Sequence, residues 1–376
     1  MTPRVGVNLL WCVPGEVGGS EEYLARQLTG LDDADIELTL FTVRGYAEAH
    51  PELAARFALV TAPTDGRRRS LRVALEHTWL AGRARERRLH LLHHAGGMLP
   101  RAQPAPGVLT IHDLQYLVYP EFFSQLKLMW LASGVPSSVR RAAAITVPSE
   151  FVKTTVVDAF GFAAERIVVV PHGLDPQFGE APGPDEARLR DRYGLSGRFV
   201  LYPAITHPHK NHATLLQAFA GLGPGHDDVR LVLLGGAGLA AADVSADSER
   251  LGVADRLVRP GRVPDADRDA LYRIATVMAF PSLYEGFGAP VLEAMALGCP
   301  VVAADATALP EVAGDAAVLV DPHSVEAWQA ALERVLDDGD ERRRLAAAGR
   351  GRAARYTSAA SARALLDAYR LATGTP

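Results

Sequence analysis

The arrangement of apolar runs along this chain constrains its fold more than any other feature. Short β-rich runs alternate with longer helical stretches from one end to the other. Runs at 4–10, 36–43, 108–111, 144–147 and 167–170 read as strands. A second series follows at 199–202, 229–234, 276–281, 301–303 and 317–320. Continuous apolar runs of this kind suit strands covered on both faces by helices, the habit of parallel sheets. Two such series predict two doubly wound α/β domains, and 376 residues are too many for one ordinary core. The stretch QFGEAPGPDE at 177–186 is rich in Pro and Gly and has no periodicity, so it reads as the linker. Residues 358–373 read as one further helix with Ala, Leu and Tyr on one face.

Composition excludes several classes of function. With 48% hydrophobic and 22% charged residues, the chain is not mostly disordered. A net charge of −5 provides no overall positive field to recruit nucleic acid. Cys12 and Cys299 lie too far apart in sequence for a disulfide framework or a four-cysteine zinc site, which points to a reducing, cytoplasmic compartment. No run approaches the ~18 apolar residues of a membrane-spanning helix. The opening MTPRVGVNLLWCVPGEVGG ends its apolar run in Pro and Gly without a small-residue cleavage site, so it reads as a strand and loop rather than a signal peptide.

The most informative chemistry lies in PSLYEGFGAPVLEAMALGCPVVAAD, residues 281–305. A strand ends there, the turn Glu285-Gly286-Phe287-Gly288 follows, and a helix begins near Pro290, whose missing N–H costs nothing in a first turn. Bare backbone N–H groups at the glycines, with a helix N-terminus behind them, suit an anion or phosphate. Glu285 and Glu293 are eight residues apart, one on the turn and one read as two turns into the helix. Taken alone, the two glutamates are equally at home as solvated side chains of an ordinary strand–turn–helix.

The whole stretch EGFGAPVLEAMALGCPVVA, with its E-x7-E spacing, resembles the signature of retaining glycosyltransferases of family 4 in the GT-B superfamily. The resemblance continues in ALPEVAGDAAVLVDP (308–322), PHGLD (171–175) and LYPAITHPHKNHATLLQAF (201–219). Nearer the start it runs through VPGEVGGSEEYLARQL (13–28), TIHDL (110–114) and TVPSEFVK (146–153). It implies a GT-B fold, with two Rossmann-like doubly wound parallel-sheet domains facing across a cleft. Residues 1–183 would form the acceptor-side domain and 184–355 the donor-binding domain, with the final helix, 356–376, packing back on the first.

The same resemblance implies transfer of a sugar from a nucleoside-diphosphate sugar, with retention at the anomeric carbon and no metal or other cofactor. It leaves the acceptor open among glycans, lipid-linked intermediates and small molecules. GDP-mannose is favoured over UDP-sugars, because PHKNH around Lys210 looks like bacterial mannosyltransferase-type members. Carried over residue by residue, Glu293 would bind the ribose hydroxyls and Glu285 the donor sugar, with Gly286, Phe287 and Gly288 helping to hold it. Lys210 would stabilise the departing diphosphate and His112 would lie beside the transferred sugar. Gly18 and Gly19 would let the first loop close over the phosphates.

Lys127, Lys153 and Lys210 are the only lysines among 39 basic residues, so composition does not favour a lysine at 210. One departure is Ile205, where the family commonly has an arginine; His207 and His209 are candidate substitutes. His112, following the apolar run VLTI, is by itself as compatible with a satisfied structural histidine.

Eight arginines between Arg67 and Arg88 face only Glu76 and Glu86, giving that segment about +6. Leu71, Leu75 and Trp79 recur at helical spacing beneath them. The segment is a candidate peripheral contact with an anionic membrane at its inner face, or else a solvated basic face on the domain core. His93 and His94 are adjacent, point apart on a strand and have no acidic or cysteine partner nearby, so no metal site is expected.

Three other functions compete. Gly236-x-Gly238-x-x-Ala241 after a strand meets the local fingerprint of an NAD(P)-dependent Rossmann oxidoreductase. Asp33-Ala-Asp35 and Asp265-Ala-Asp267 match the D-x-D string of a metal-dependent transferase, although both also suit turns and helix starts. A catalytically inactive GT-B sugar-binding protein is the third.

Overall fold

The computed structural model describes residues 3–16, 19–31, 36–175, 177–180 and 183–374. The chain divides into two compact units, Met1–Asp175 with Tyr356–Pro376, and Pro176–Arg355. The division thus falls just ahead of the Pro/Gly-rich stretch. Gln177–Glu180 goes with the second unit, where the Arg273 guanidinium donates to the Gly179 carbonyl.

The first unit is built on a seven-stranded sheet. Its strands are β1 (Arg4–Asn8), β2 (Glu37–Thr42), β3 (Ala58–Thr61), β4 (Leu91–His94), β5 (Gly107–Thr110), β6 (Ala144–Val147) and β7 (Ile167–Val169). They lie in the order β3-β2-β1-β4-β5-β6-β7, and every pairing is parallel. Successive side chains of a strand point to opposite faces. Val108 and Ala144 therefore join one core cluster with Val5, Leu38 and Leu365, while Leu109 and Ile145 join another with Val139 and Val156. Helices cover both faces, as the uninterrupted apolar runs require.

Helix Ser358–Thr373 belongs to this first unit. It packs on helix Gly19–Thr29 and on β6 and β7, and it buries Leu365 and Tyr369. Its entry is tied down where Leu174 N–H donates to the Tyr356 carbonyl (2.8 Å) and Ser358 N–H to the Leu174 carbonyl (2.9 Å). Gly173 is required beside this crossing, because a Cβ there would lie 2.5 Å from the Thr357 carbonyl oxygen.

The second unit holds a six-stranded sheet. Its strands are β8 (Phe199–Pro203), β9 (Arg230–Leu234), β10 (Leu257–Gly261), β11 (Val277–Phe280), β12 (Val301–Ala304) and β13 (Val318–Val320), again all parallel. The order β10-β9-β8-β11-β12-β13 reverses between β8 and β11, as the first sheet reverses between β1 and β4. Open α/β sheets take their ligands beyond the carboxyl ends of the strands at such a reversal. The fold thus marks one edge in each unit before any side chain is considered.

Three strands carry no clear signal in the sequence. β3 and β10 are edge strands; half-exposed and interrupted by Arg259 and Pro260, β10 lacks the continuous apolar run of a central strand. β4 is central and fully buried, but two of its four residues are histidines.

Candidate functional site

At the carboxyl edge of the second sheet, the loops after β8 and β11 are stitched together. Leu283 N–H donates to the His209 carbonyl (2.8 Å). The Asn211 side chain donates to the carbonyls of Pro281 (3.1 Å) and Pro322 (2.7 Å). Asn211 is left-handed, with φ 57°, a conformation Asn tolerates better than most residues. The Tyr202 hydroxyl donates to the Lys210 carbonyl at 2.5 Å, fixing the backbone from which the lysine projects.

Lys210 Nζ donates to Glu285 Oε1 at 2.5 Å, with side chains 18% and 14% exposed. Two of the candidate residues are therefore in direct contact. The ammonium also lies 5.5 Å from the Phe280 ring centroid, over its negative face. Glu285 is held from behind, its N–H donating to Thr307 Oγ1 (3.0 Å). Thr307 has φ 55°, which a β-branched residue rarely adopts. Asn211 and Thr307 thus position the pair, and neither stood out in the sequence; the only available signal was an Asn next to the lysine.

Gly286–Gly288 continues from Glu285 into helix Ala289–Ala296, whose N-cap is Gly288 with φ 100°. A Cβ on Gly288 would meet Leu309 Cδ2 at 2.5 Å, so both conformation and space demand glycine. Glu293 is buried at 5% exposure in that helix. It stands about one turn in rather than two, because half of the E-x7-E spacing is spent on the turn. Its charge adds to burial in pushing the Tyr272 hydroxyl well above its usual range.

Of the two candidate substitutes for an arginine at Ile205, His209 carries no positive charge. Burial, with the Lys210 charge beside it, pushes His209 down to about 3, so it is neutral at pH 7. Its ring stacks on His207 at 5.9 Å. Arg262, which follows β10, has its guanidinium alongside Gly236, whose carbonyl accepts from the Thr206 N–H.

The glycines of the apparent dinucleotide fingerprint serve this same loop. A Cβ on Gly238 would lie 2.5 Å from the Thr206 carbonyl oxygen, and one on Gly235 as close to that of Ala204. Gly238 N–H donates to Thr206 Oγ1 (2.7 Å). Of the two fingerprint glycines, Gly238 is thus consumed by backbone packing, while a Cβ on Gly236 would meet only the Arg262 side chain, at 3.8 Å. Asp267 is likewise occupied, by Arg192 (2.9 Å) and the Tyr193 hydroxyl (2.5 Å), and Asp265 pairs with Arg268 (3.0 Å). Asp33 and Asp35 lie outside the described residues.

In the first unit, His112 follows β5 at the corresponding edge. Its Nε2 lies 2.9 Å from the Ala95 carbonyl oxygen. A carbonyl only accepts, so Nε2 carries the proton and the neutral ring keeps Nδ1 as an acceptor. Burial pushes the imidazole below its usual value, so it stays neutral. The Tyr23 ring meets it edge-on at 5.5 Å and stacks on His172 at 4.1 Å. A cavity of about 320 Å³ opens beside His112, lined also by Met98, Phe123, Lys127 and Trp130. Gly19 begins helix Gly19–Thr29 with open space around it; Gly18 lies outside the described residues.

The neighbouring histidines have structural partners. His93 sits between the Tyr369 hydroxyl (2.9 Å) and Thr110 Oγ1 (2.7 Å), and His94 Nδ1 accepts from Asn8 Nδ2 (3.2 Å). The arginine-rich segment is two helices, Arg69–His77 and Trp79–Glu86, because the chain breaks at Thr78. Leu75 and Trp79 of its stripe pack on the core, while Leu71 is exposed. Among the described residues no helix is long and apolar enough to cross a membrane.

Comparison with known proteins bears on this edge-by-edge arrangement. Residues 17–178 match the family described as Glycosyltransferase Family 4, and 188–352 match Glycosyl transferases group 1. O-antigen chain mannosyltransferase B of Escherichia coli is 31% identical over 268 residues, covering 70% of each chain. D-inositol 3-phosphate glycosyltransferase of Segniliparus rotundus is 30% identical over 96% of this chain and 87% of its own. Among solved structures, Anabaena HepE in complex with UDP and glucose superposes with a TM-score of 0.75 at 21% identity, covering 98% of this chain and 99% of that one. Sucrose-phosphate synthase from Thermosynechococcus elongatus gives 0.79 at 20%, covering 98% of both. At such identities these likenesses speak to fold alone; with the two family matches and the relatives at 30% and above, they show that this chain belongs to the family 4 glycosyltransferases of the GT-B superfamily, enzymes that use nucleotide-sugar donors.

Proposed function

We propose that this protein transfers a hexosyl group, with mannose from GDP-mannose favoured over sugars from UDP donors, and that it does so with retention and without a metal ion. The observation that carries the reading is the Lys210–Glu285 pair at the β8/β11 reversal, with the Gly286–Gly288 turn adjoining it. A nucleoside diphosphate gains negative charge as its bond to the sugar breaks. A cation fixed before the reaction stabilises that charge without reorganising in the transition state. Lys210 is such a cation: Glu285 holds the ammonium in one place, and the tether at its carbonyl fixes its backbone.

In this reading Glu285 contacts the donor sugar, the N–H groups of Gly286–Gly288 hold the donor, and Glu293 binds the ribose. His112 accepts from a sugar hydroxyl through Nδ1, and Gly18 and Gly19 border the phosphates. Arg262 supplies part of the charge missing at Ile205. Support for mannose comes from the mannosyltransferase relative and from the PHKNH sequence around Lys210. The D-x-D carboxylates of the second unit are tied up in ion pairs, which favours a mechanism without metal.

A thermal-shift panel of GDP- and UDP-sugars selects the donor, and GDP-mannose should give the largest shift. NMR of the product should show the donor's own anomeric configuration, and turnover should survive EDTA. An inverted product or loss of activity with EDTA refutes the reading.

A further inference from the structure

A helix on a domain surface normally presents polar side chains outward. Helix Gln125–Arg141 does not. Its inward face places Leu128, Leu131, Val135 and Val139 in the core of the first unit. Leu126, Met129 and Trp130, spaced i, i+3, i+4, lie on another face, and Leu126 is 75% and Met129 63% exposed. Leu117 and Val118, from the preceding turn, are exposed as well. An apolar patch of this kind on a folded surface marks an interaction site.

The charges around it are predominantly positive, although Arg67 of the flank is paired with Glu16 (3.0 Å). The Arg69 guanidinium lies over the Trp130 ring at 3.8 Å, and the Lys127 ammonium lies 4.8 Å from the Phe123 ring centroid. Through Arg69 the patch is joined to Arg67, Arg68 and Arg72. Glu121 is the only carboxylate between Gln115 and Arg141. Long aliphatic tips with an indole and cationic head groups on flexible stems match the boundary between lipid tails and anionic head groups.

We propose that this face seats the protein on an anionic lipid bilayer, with Leu126, Met129 and Trp130 inserted and Arg69 and Lys127 among the head groups. The docking helix is Gln125–Arg141, and the arginine-rich segment acts as its cationic flank. A second copy fits less well, because an isologous contact would set these cations against themselves. Trp130 and Lys127 also line the cavity beside His112, so the surface runs into it. That continuity deepens the transferase reading toward a lipid-borne acceptor; the docking itself does not depend on sugar chemistry.

The test is co-sedimentation of the full chain with vesicles of phosphatidylcholine, alone or mixed equally with phosphatidylglycerol. Binding should require phosphatidylglycerol and weaken with salt. Leu126→Asp with Met129→Asp should lower the partition coefficient by about a hundredfold, two inserted side chains being lost. Arg69→Gln and Lys127→Gln should each lower it about fivefold. All variants should keep the wild-type melting temperature and the wild-type shift with nucleotide-sugar, because these side chains are exposed and Lys210, Glu285 and Glu293 are on the second unit. Wild-type protein left in the supernatant, equal binding by the aspartate variant, or a dimer that this variant dissociates would each overturn the proposal. Loss of the nucleotide-sugar shift in every protein, with vesicle binding intact, would instead refute the transferase reading.

Discussion

The two sheets share a topology and differ sharply at their carboxyl edges. In the first unit the edge carries imidazoles that burial keeps neutral: His93 and His94 are pushed down to about 3, His112 below its usual value and His172 well below it. Around His93 they are joined by neutral hydroxyls, those of Tyr369 and Thr110. In the second unit the reversal carries a formal ion pair, Lys210 with Glu285, and a buried carboxyl at Glu293. Through its imidazoles the first edge offers directional hydrogen bonds without charge, while the second offers an ion pair. That division suits a reaction in which one partner is a neutral sugar and the other a diphosphate.

The sharpest way to break this contrast is Lys210→Ala. If the ammonium stabilises the leaving diphosphate, kcat should fall on the order of 10²–10³, together with weaker donor binding. The loss should lie toward the severe end, because His209 is neutral and Glu285 is left without its partner. Steady-state kinetics at saturating acceptor decide it: an effect on KM alone would reduce Lys210 to a binding residue.

Glu293→Gln sharpens the contrast within the charged edge. A ribose contact is nearly the same in ground and transition states, so donor KM should rise while kcat stays within about tenfold. One charged hydrogen bond is worth roughly 1.5–3 kcal/mol. An unchanged KM with a large loss of kcat would move Glu293 into the chemistry itself.

The smallest effect concerns the neutral edge. His93 and His94 take up protons near their ordinary 6.5 when unfolded but only near 3 when folded. Stability should therefore be complete above about pH 6.5 and fall as the pH drops toward 3, by up to about 1.4 kcal/mol per pH unit for each histidine. His93→Gln removes one of these protons, so urea titrations between pH 7 and 5 should show a shallower acid slope. Equal slopes would mean that His93 is already protonated in the folded state.

Much of this was legible because it rests on periodicity. The central strands, both-face burial and the glycine turn into a helix all follow from runs that admit one arrangement. The pairing of Lys210 with Glu285 was not legible, since 75 residues separate them and only the order of β8 and β11 brings them together. Thr307 illustrates the remainder: a strained φ is imposed by surroundings that a linear sequence does not show. The break at Thr78 that divides the arginine-rich segment into two helices does not register in the spacing of Leu71, Leu75 and Trp79. Gly238 shows how a functional-looking string can arise from packing, since its glycine is needed for close approach to the Thr206 backbone.

The crossing at Leu174 and Thr357 bears on the order in which the molecule is made. Most of the first unit is translated before the second, yet it lacks Leu365 and Tyr369 until the second has been synthesised. The second unit is continuous in sequence and can close as soon as its own residues have emerged. Folding should therefore finish on the part that was translated first. A chain truncated after residue 355 should resist protease across the second unit while its first sheet is still cleaved, and adding residues 356–376 back as a peptide should close it.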